Sequence, residues 1–142
     1  VGTSRGSNVR VFDGMSGGAL DGYDLRVFSR SYGDGVYVAA GDVNGDGRDE
    51  IITGAGNGSA AVRIFDPVDL LAVPIEIKAY KGALRGVRVA AGDVNADGIA
   101  DIITSRGFRG KLSAEVHDGT SFQKLFELTG YRVKGKGGLF VG

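Results

Sequence analysis

Cysteine is absent from this sequence, which excludes disulfide scaffolds, thiolate zinc sites and cysteine nucleophiles and leaves the redox compartment open. Net charge is absent too, with Lys plus Arg and Asp plus Glu both at 17. No overall field therefore recruits nucleic acid or an anionic membrane, and a partner must be recognised locally. No apolar run approaches the roughly 18 residues of a membrane-spanning helix, so membrane insertion is not expected. The N-terminus lacks the basic, apolar and small-residue order of a signal peptide, so any export signal would lie outside these 142 residues. Proline is scarce at 2 residues while glycine reaches 26, without the three-residue period of collagen. Frequent turns follow. The length suffices for one domain with a real core.

What is present is repetition. VYVAAGDVN at Val36 to Asn44 returns as VRVAAGDVN at Val87 to Asn95, a step of 51, and IITGAG at Ile51 to Gly56 returns as IITSRG at Ile102 to Gly107. A third segment has three copies, VRVFDG from Val9, AVRIFDP from Ala61 and AEVHDG from Ala114. A fourth reads LRVF at Leu25 to Phe28, IEIKAY at Ile75 to Tyr80 and LFEL at Leu125 to Leu128. Each segment is short, rich in Val, Ile, Phe and Tyr, and bounded by Gly, Asp, Asn or Ser, which is the signature of a strand. None has helical length.

Four strands per repeat of about 51 residues is the sequence pattern of a β-propeller blade. The expected fold is all-β, a single array over 1–142 of about three blades of four antiparallel strands. It divides into a partial blade at 1–34 holding strands 3 and 4, complete blades with an ion loop at 35–85 and 86–137, and the first strand of another blade at 138–142. Propellers close with about four to eight blades. Such an array is thus expected to belong to a larger ring, completed by neighbouring blades of a longer chain or by further copies as a homo-oligomer, because half-blades leave sheet edges that invite pairing. The alanines at 39, 40, 90 and 91 suit an innermost strand where sheets crowd, although ordinary strand filler remains an alternative reading.

Between the first and second strands lie GDVNGDGRDEII and GDVNADGIADII. Oxygen-bearing side chains fall on alternate residues, Asp42, Asn44 and Asp46, followed by Gly47 and by Glu50; the second copy offers Asp93, Asn95, Asp97, Gly98 and Asp101. A hard cation such as Ca²⁺ takes six to eight oxygens in flexible geometry, and glycine permits the positive φ of a tight bend. An EF-hand or dockerin-type loop opens the same way but closes with a carboxylate at position 12 and continues into a helix. Here position 12 is Thr53 or Thr104 and the continuation is strand-like, so the ninth-position carboxylate has to close the site. Solvated turns without an ion are the plainer alternative. Against them stands the repulsion among three carboxylates, up to roughly 4 kcal/mol for two charges about 4 Å apart at an effective dielectric near 20.

These loops and strands resemble the integrin-α-type repeats called FG-GAP or VCBS repeats, over nearly the whole chain and most specifically at GDVNGDG and GDVNADG. The resemblance implies β-propeller blades with two Ca²⁺ sites. In the first, Asp42, Asn44, Asp46 and Glu50 would supply side-chain oxygens and Arg48 its carbonyl; in the second, Asp93, Asn95, Asp97 and Asp101 with the Ile99 carbonyl. Glu50 departs from the family's usual Asp, and the FG and GAP ends are only partly present, Gly54-Ala55-Gly56 being the nearest remnant. The resemblance further implies a non-catalytic, extracellular or cell-surface module for protein interaction or adhesion. A carbohydrate-binding lectin with sugars held between blades is the alternative, favoured if Tyr23, Tyr32, Tyr80 or Tyr131 stands exposed in an inter-blade pocket. Hydrolase or lyase activity is a weaker third, since no catalytic constellation is visible.

The remaining candidates have bland readings. His117 takes the strand position of Phe12 and Phe65, and packing suits it better than general-base work. Asp13, Asp66 and Asp118 precede Gly or Pro and suit turns. Arg132, Lys134 and Lys136 suit a solvated loop, Asn57-Gly58-Ser59 is a glycosylation sequon by pattern only, and Gly54 to Ser59 lacks the Lys and helix of a phosphate loop. Recognition, if present, belongs to the variable loops around Asn57, Gly107 and Lys134.

Overall fold

A computed structural model describes residues 1–2, 5–70, 72–81, 85–106, 112–131 and 141. Among them there is no helix. The strands are β1 (Asn8–Phe12), β2 (Ala19–Arg26), β3 (Val36–Gly41), β4 (Glu50–Ala55), β5 (Ala61–Phe65), β6 (Ile75–Lys78), β7 (Val87–Gly92), β8 (Asp101–Arg106), β9 (Leu112–His117) and β10 (Lys124–Tyr131). They form three antiparallel sheets in chain order: β1-β2, β3-β4-β5-β6 and β7-β8-β9-β10. Short Gly, Asp and Asn-rich connections make this meander the economical way to pair consecutive strands.

The register repeats with the sequence. Val36↔Ala55 through Gly41↔Glu50 returns as Val87↔Arg106 through Gly92↔Asp101. Each loop is thus a hairpin connection whose opening glycine is paired with its closing carboxylate. In the first sheet Gly2 bridges Val9, the pairing that Gly54 makes with Val62 in the second. The first strand expected at 138–142 and the loop around Lys134 lie outside the described residues, apart from Val141, as does Gly107.

The second sheet is covered on both faces. Ile51 and Phe65 pack with Val9, Leu25 and Val27 of the first sheet. Ile52, Val62 and Ile64 pack with Val87, Val89 and Ile102 of the third. An antiparallel strand with one wet face alternates apolar and polar residues, whereas β4, read EIITGA, is buried at every position. Burial of one such Ile stabilises by about 1.5–3 kcal/mol. Polar groups tie the layers as well. Arg63 on β5 reaches the first sheet, donating to the Val27 carbonyl and lying 4.8 Å from the centre of the Phe28 ring, while pairing with Glu76 at 2.8 Å. Tyr80, past the end of β6, is buried and donates its hydroxyl to the Thr104 carbonyl in β8 at 3.0 Å.

Where the sheets meet, β3 lies against β7, and backbones approach closely enough to demand glycine. A Cβ on Gly41 would stand 2.6 Å from the Ala91 Cβ, and one on Gly54 would stand 2.1 Å from the Val87 carbonyl oxygen. Of the four alanines, Ala91 sits at this crowded contact and Ala39 packs in the core between the sheets, whereas Ala40 is exposed.

The fourth-strand segments are where sequence and structure differ. Leu25 to Phe28 was the expected strand, yet β2 starts at Ala19 and stops at Arg26; β10 extends to Tyr131, and β6 stops at Lys78 before Ala79 and Tyr80. The N–H of Val27 donates to the Ser7 carbonyl at 2.8 Å, the next pair in the β1-β2 register, so the pairing runs one residue past the end of β2. β2 is exposed over most of its length, so burial imposes no apolar alternation on it, and its Asp and Gly residues disguise a strand. Gly54→Val should cost about 1–3 kcal/mol or more through overpacking against β7; chemical denaturation measures it, and a loss below about 0.5 kcal/mol would mean the sheets do not approach as described.

Candidate metal centre

The first loop connects β3 to β4 and is folded by its own acceptors. Asp42 Oδ1 accepts from the Gly45 N–H at 2.7 Å and the Asp46 N–H at 3.1 Å, and Oδ2 from the Gly47 N–H at 2.8 Å. Asn44 Oδ1 accepts from the Asp46 N–H at 2.8 Å, and Asp46 Oδ1 from the Arg48 N–H at 2.9 Å. Alternate side chains can curl inward this way because Gly45 and Gly47 adopt φ of 77° and 85°. Partial burial pushes the Asp42 carboxyl up, but the backbone N–H groups of Gly47, Gly45, Asp46 and Asn44 together outweigh it and hold the carboxyl below its ordinary range.

The second loop, between β7 and β8, reproduces this scheme. Asp93 Oδ1 accepts from the Asp97 N–H at 3.2 Å and Oδ2 from the Gly98 N–H at 3.0 Å. Asn95 Oδ1 accepts from the Asp97 N–H at 3.0 Å, and Asp97 Oδ1 from the Ile99 N–H at 2.8 Å. One difference is steric. Ala96 holds a φ of 63° where the first loop has Gly45, a conformation that costs an L-residue roughly 1–2 kcal/mol.

The closing carboxylates are the most buried members, Glu50 at 3% exposed and Asp101 at 1%. Both accept from the loop backbone, Glu50 Oε2 from the Val43 N–H at 2.9 Å and Asp101 Oδ2 from the Val94 N–H at 2.9 Å. Their second oxygens diverge. Asp101 Oδ1 accepts from the N–H of Gly119, in the turn after β9, at 3.3 Å. The corresponding residue in the first copy is Pro67, which has no N–H to give. There the longer Glu50 turns its Oε1 onto Asn44 Nδ2 at 2.9 Å instead. The exchange of Asp for Glu at position 50 therefore accompanies the exchange of Gly for Pro across the sheet.

Whether these residues suit a cation can be asked of the donors themselves. The side chains are all oxygen donors, the chemistry of Ca²⁺ or Mg²⁺ and not of a soft metal. Each carboxylate has about four acceptor directions, and the hydrogen bonds above occupy only part of them. Burial pushes the Glu50 carboxyl up, and the negative charges of Asp46, Asp42 and Asp66 add to that, against the Val43 N–H. A buried carboxylate facing other carboxylates, with no cationic side chain paired to it among the described ion pairs, suits a cation. As the side chains stand, no group of three or more acidic or histidine residues converges on a common ion position among the described residues. Asp42, Asn44, Asp46 and Glu50 are brought into one loop, and Asp93, Asn95, Asp97 and Asp101 into the other, with their oxygens turned onto backbone amides. For Arg48 and Ile99 the described contacts are those of the N–H groups, held by Asp46 and Asp97.

Thr53 and Thr104, at the twelfth position of an EF-type loop, are buried strand residues that donate their hydroxyls to the Arg63 and Glu115 carbonyls at 3.2 and 3.3 Å, so neither closes an ion loop. His117 is buried with its Nε2 3.3 Å from Glu115 Oε2, and Lys124 pairs with the other oxygen of Glu115 at 3.4 Å. Asp13 and Asp118 hold turns, through the N–H groups of Ser16 and Ser121 at 2.6 and 2.7 Å, and Asp66 accepts from the Val68 N–H at 2.7 Å. Of the candidate sugar-stacking residues, Tyr80 is buried and committed between sheets. Tyr23 is half-buried and donates to the Pro67 carbonyl at 3.2 Å. Tyr32 is half-buried, with its hydroxyl fixed by the Asn57 backbone at 3.0 Å. Tyr131 enters only through its backbone, and the cationic run 132–136 lies outside the described residues.

Residues 35–65 match the family model described as FG-GAP repeat. The matched span takes in β3, the whole first loop, β4 and β5, so the segment carrying the first loop is similar to an FG-GAP repeat. Comparison with curated proteins and with solved structures finds no match. The second loop lies outside the matched span and is tied to the first by its repeated sequence, register and hydrogen bonds.

Two outcomes follow. Gly45→Ala should lower stability by about 1 kcal/mol, whereas Ala96→Gly should be neutral or slightly stabilising, because relief of left-handed strain is offset by a more flexible unfolded chain; equal losses in thermal melts would contradict this backbone account. A carboxyl whose folded pKa is raised holds its proton more tightly when folded, so its contribution falls as pH rises upward from the ordinary glutamate value of about 4.3. Without divalent cations, Glu50→Gln should therefore flatten the loss of stability over that range and leave stability at pH 7 no lower than that of the parent. A markedly less stable variant in chelator would contradict the sign.

Proposed function

We propose that the chain forms part of a Ca²⁺-stabilised, non-catalytic β-propeller that serves extracellular or cell-surface protein interaction or adhesion. The observation that carries this reading is the FG-GAP match over residues 35–65, which contains the first loop, together with the recurrence of the loop's hydrogen-bond scheme at Asp93 to Asp101. The three stacked antiparallel sheets suit consecutive blades. Two Ca²⁺ ions would be held by Asp42, Asn44, Asp46, Glu50 and the Arg48 carbonyl, and by Asp93, Asn95, Asp97, Asp101 and the Ile99 carbonyl. An ion there supplies positive charge that offsets the repulsion of clustered, partly buried carboxylates. The loops clamp the first two strands of each blade, so their effect falls on stability before recognition. The ring would be completed by neighbouring blades or by further copies of the chain, since the half-sheet β1-β2 offers an edge for pairing.

A carbohydrate-binding reading is favoured by one observation. Tyr32 lines a cavity of about 330 Å³ with Gly6, Ser7, Asn8, Arg26, Ser29 and Arg30, and its hydroxyl bonds to Asn57 fix the ring beside the junction with the second sheet. Fixed polar groups beside an aromatic ring suit a sugar. Glycan-array binding abolished by Tyr32→Ala supports it, and an array without hits overturns it.

The Ca²⁺ reading predicts a melting temperature higher in Ca²⁺ than in excess EGTA, with about 2.7 kcal/mol of stabilisation per site at a hundredfold excess over the dissociation constant. Glu50→Gln should lose much of the Ca²⁺-dependent gain. Equal melting temperatures in the two buffers would overturn the reading.

A further inference from the structure

We infer that the two loops take up their ions as a coupled pair, with the start of the first loop serving as the anchor for the end of the second; the inference rests on the Ca²⁺ reading above. The Asp42 carbonyl accepts a hydrogen bond from the Ala100 N–H at 2.9 Å. Asp42 opens the first loop, and Ala100 stands between Ile99 and Asp101, the last two donors of the second. Close packing surrounds this bond. A Cβ on Gly41 would stand 3.2 Å from the Ala100 Cβ, and one on Gly45 would stand 3.3 Å from Ile99 Cδ1, so the Ile99 side chain rests on the bend of the first loop. The following turn closes on the same segment, since a Cβ on Gly119 would stand 2.2 Å from the Ala100 carbonyl oxygen.

The physical consequence concerns ordering. An ion in the first loop fixes the Asp42 carboxylate and with it the residue whose carbonyl holds Ala100. The Ile99 to Asp101 segment is then already positioned when the second ion arrives, and less conformational freedom remains to be lost. Linkage makes the effect reciprocal: an ion in the second loop favours the first by the same factor. The contact is between backbones of successive repeats and uses no candidate ligand side chain, so coupling and ion binding can be altered separately.

The test is a Ca²⁺ titration of the whole chain followed by NMR at the Gly47 and Gly98 amides, one reporter per loop. Asp93→Asn, which disables the second loop only, should weaken the response at Gly47 by about fivefold or more, and Asp42→Asn should weaken that at Gly98 by a similar factor. Ile99→Ala keeps every candidate ligand and removes the packing on Gly45; it should leave both loops able to bind while diminishing the cross-effect. Amide shifts remote from the loops report whether each variant retains the fold. Unchanged midpoints at the intact loop in both single-loop variants overturn the coupling while leaving the Ca²⁺ sites standing. No Ca²⁺-dependent shift at either loop in the parent protein overturns the Ca²⁺ reading and the coupling with it.

Discussion

The constraint on which the structure depends is the face-to-face stacking of sheets at backbone distance. The second sheet has no wet face along β4, and its first strand β3 lies against β7. Apolar side chains fill the space between the sheets, while at Gly41 and Gly54 the neighbouring sheet comes too near for any side chain. Because every repeat uses the same register, this contact sets where the loops emerge. Gly41 and Gly92 end β3 and β7, each paired with a closing carboxylate, so the loops stand side by side and the first can hold the second through the Asp42 carbonyl.

Stacking also creates the electrostatic problem of the site. Closing each hairpin with a carboxylate at the start of a buried strand places Glu50 and Asp101 out of water, where ionisation is costly unless the charge is compensated. The two copies offset that cost differently. Asp101 draws on three backbone amides, including that of Gly119. Glu50, with Pro67 in the place of Gly119, draws on a single backbone amide, that of Val43, and on the Asn44 side chain. A hard cation, as proposed above, would compensate both. In the absence of such an ion, the Asx-type hydrogen bonds of Asp42 and Asp93 hold the loops in their curled form.

Much of this was legible in the sequence, for physical reasons that differ by element. β3, β4 and β5 and their copies stand out because burial selects short runs dominated by Val, Ile and Ala, broken only by scattered polar residues such as Thr53, Arg63 and Glu115. The loops stand out because alternate Asp and Asn followed by Gly have few uses other than tight curling around an acceptor or an ion. β2 and β10 were legible only in part: they are outer, largely exposed strands on which burial imposes no pattern, so LRVF and LFEL marked only part of each. The Asp42 to Ala100 bond left no signal, since it joins main-chain atoms and carries no side-chain signature. The meaning of Glu50 was hidden because its partner in the exchange, Pro67, lies in a different turn and only the register of β4 and β5 brings the two together.

The claim that organises the account is that each curled loop is built around an ion. Calorimetric titration of Ca²⁺ into chelator-treated protein addresses it most directly, because it counts ions without relying on stability. Binding of two Ca²⁺ per chain, reduced to one by Asp93→Asn, is the result the account predicts. A titration with no saturable heat, in protein shown by circular dichroism to be folded, would contradict it.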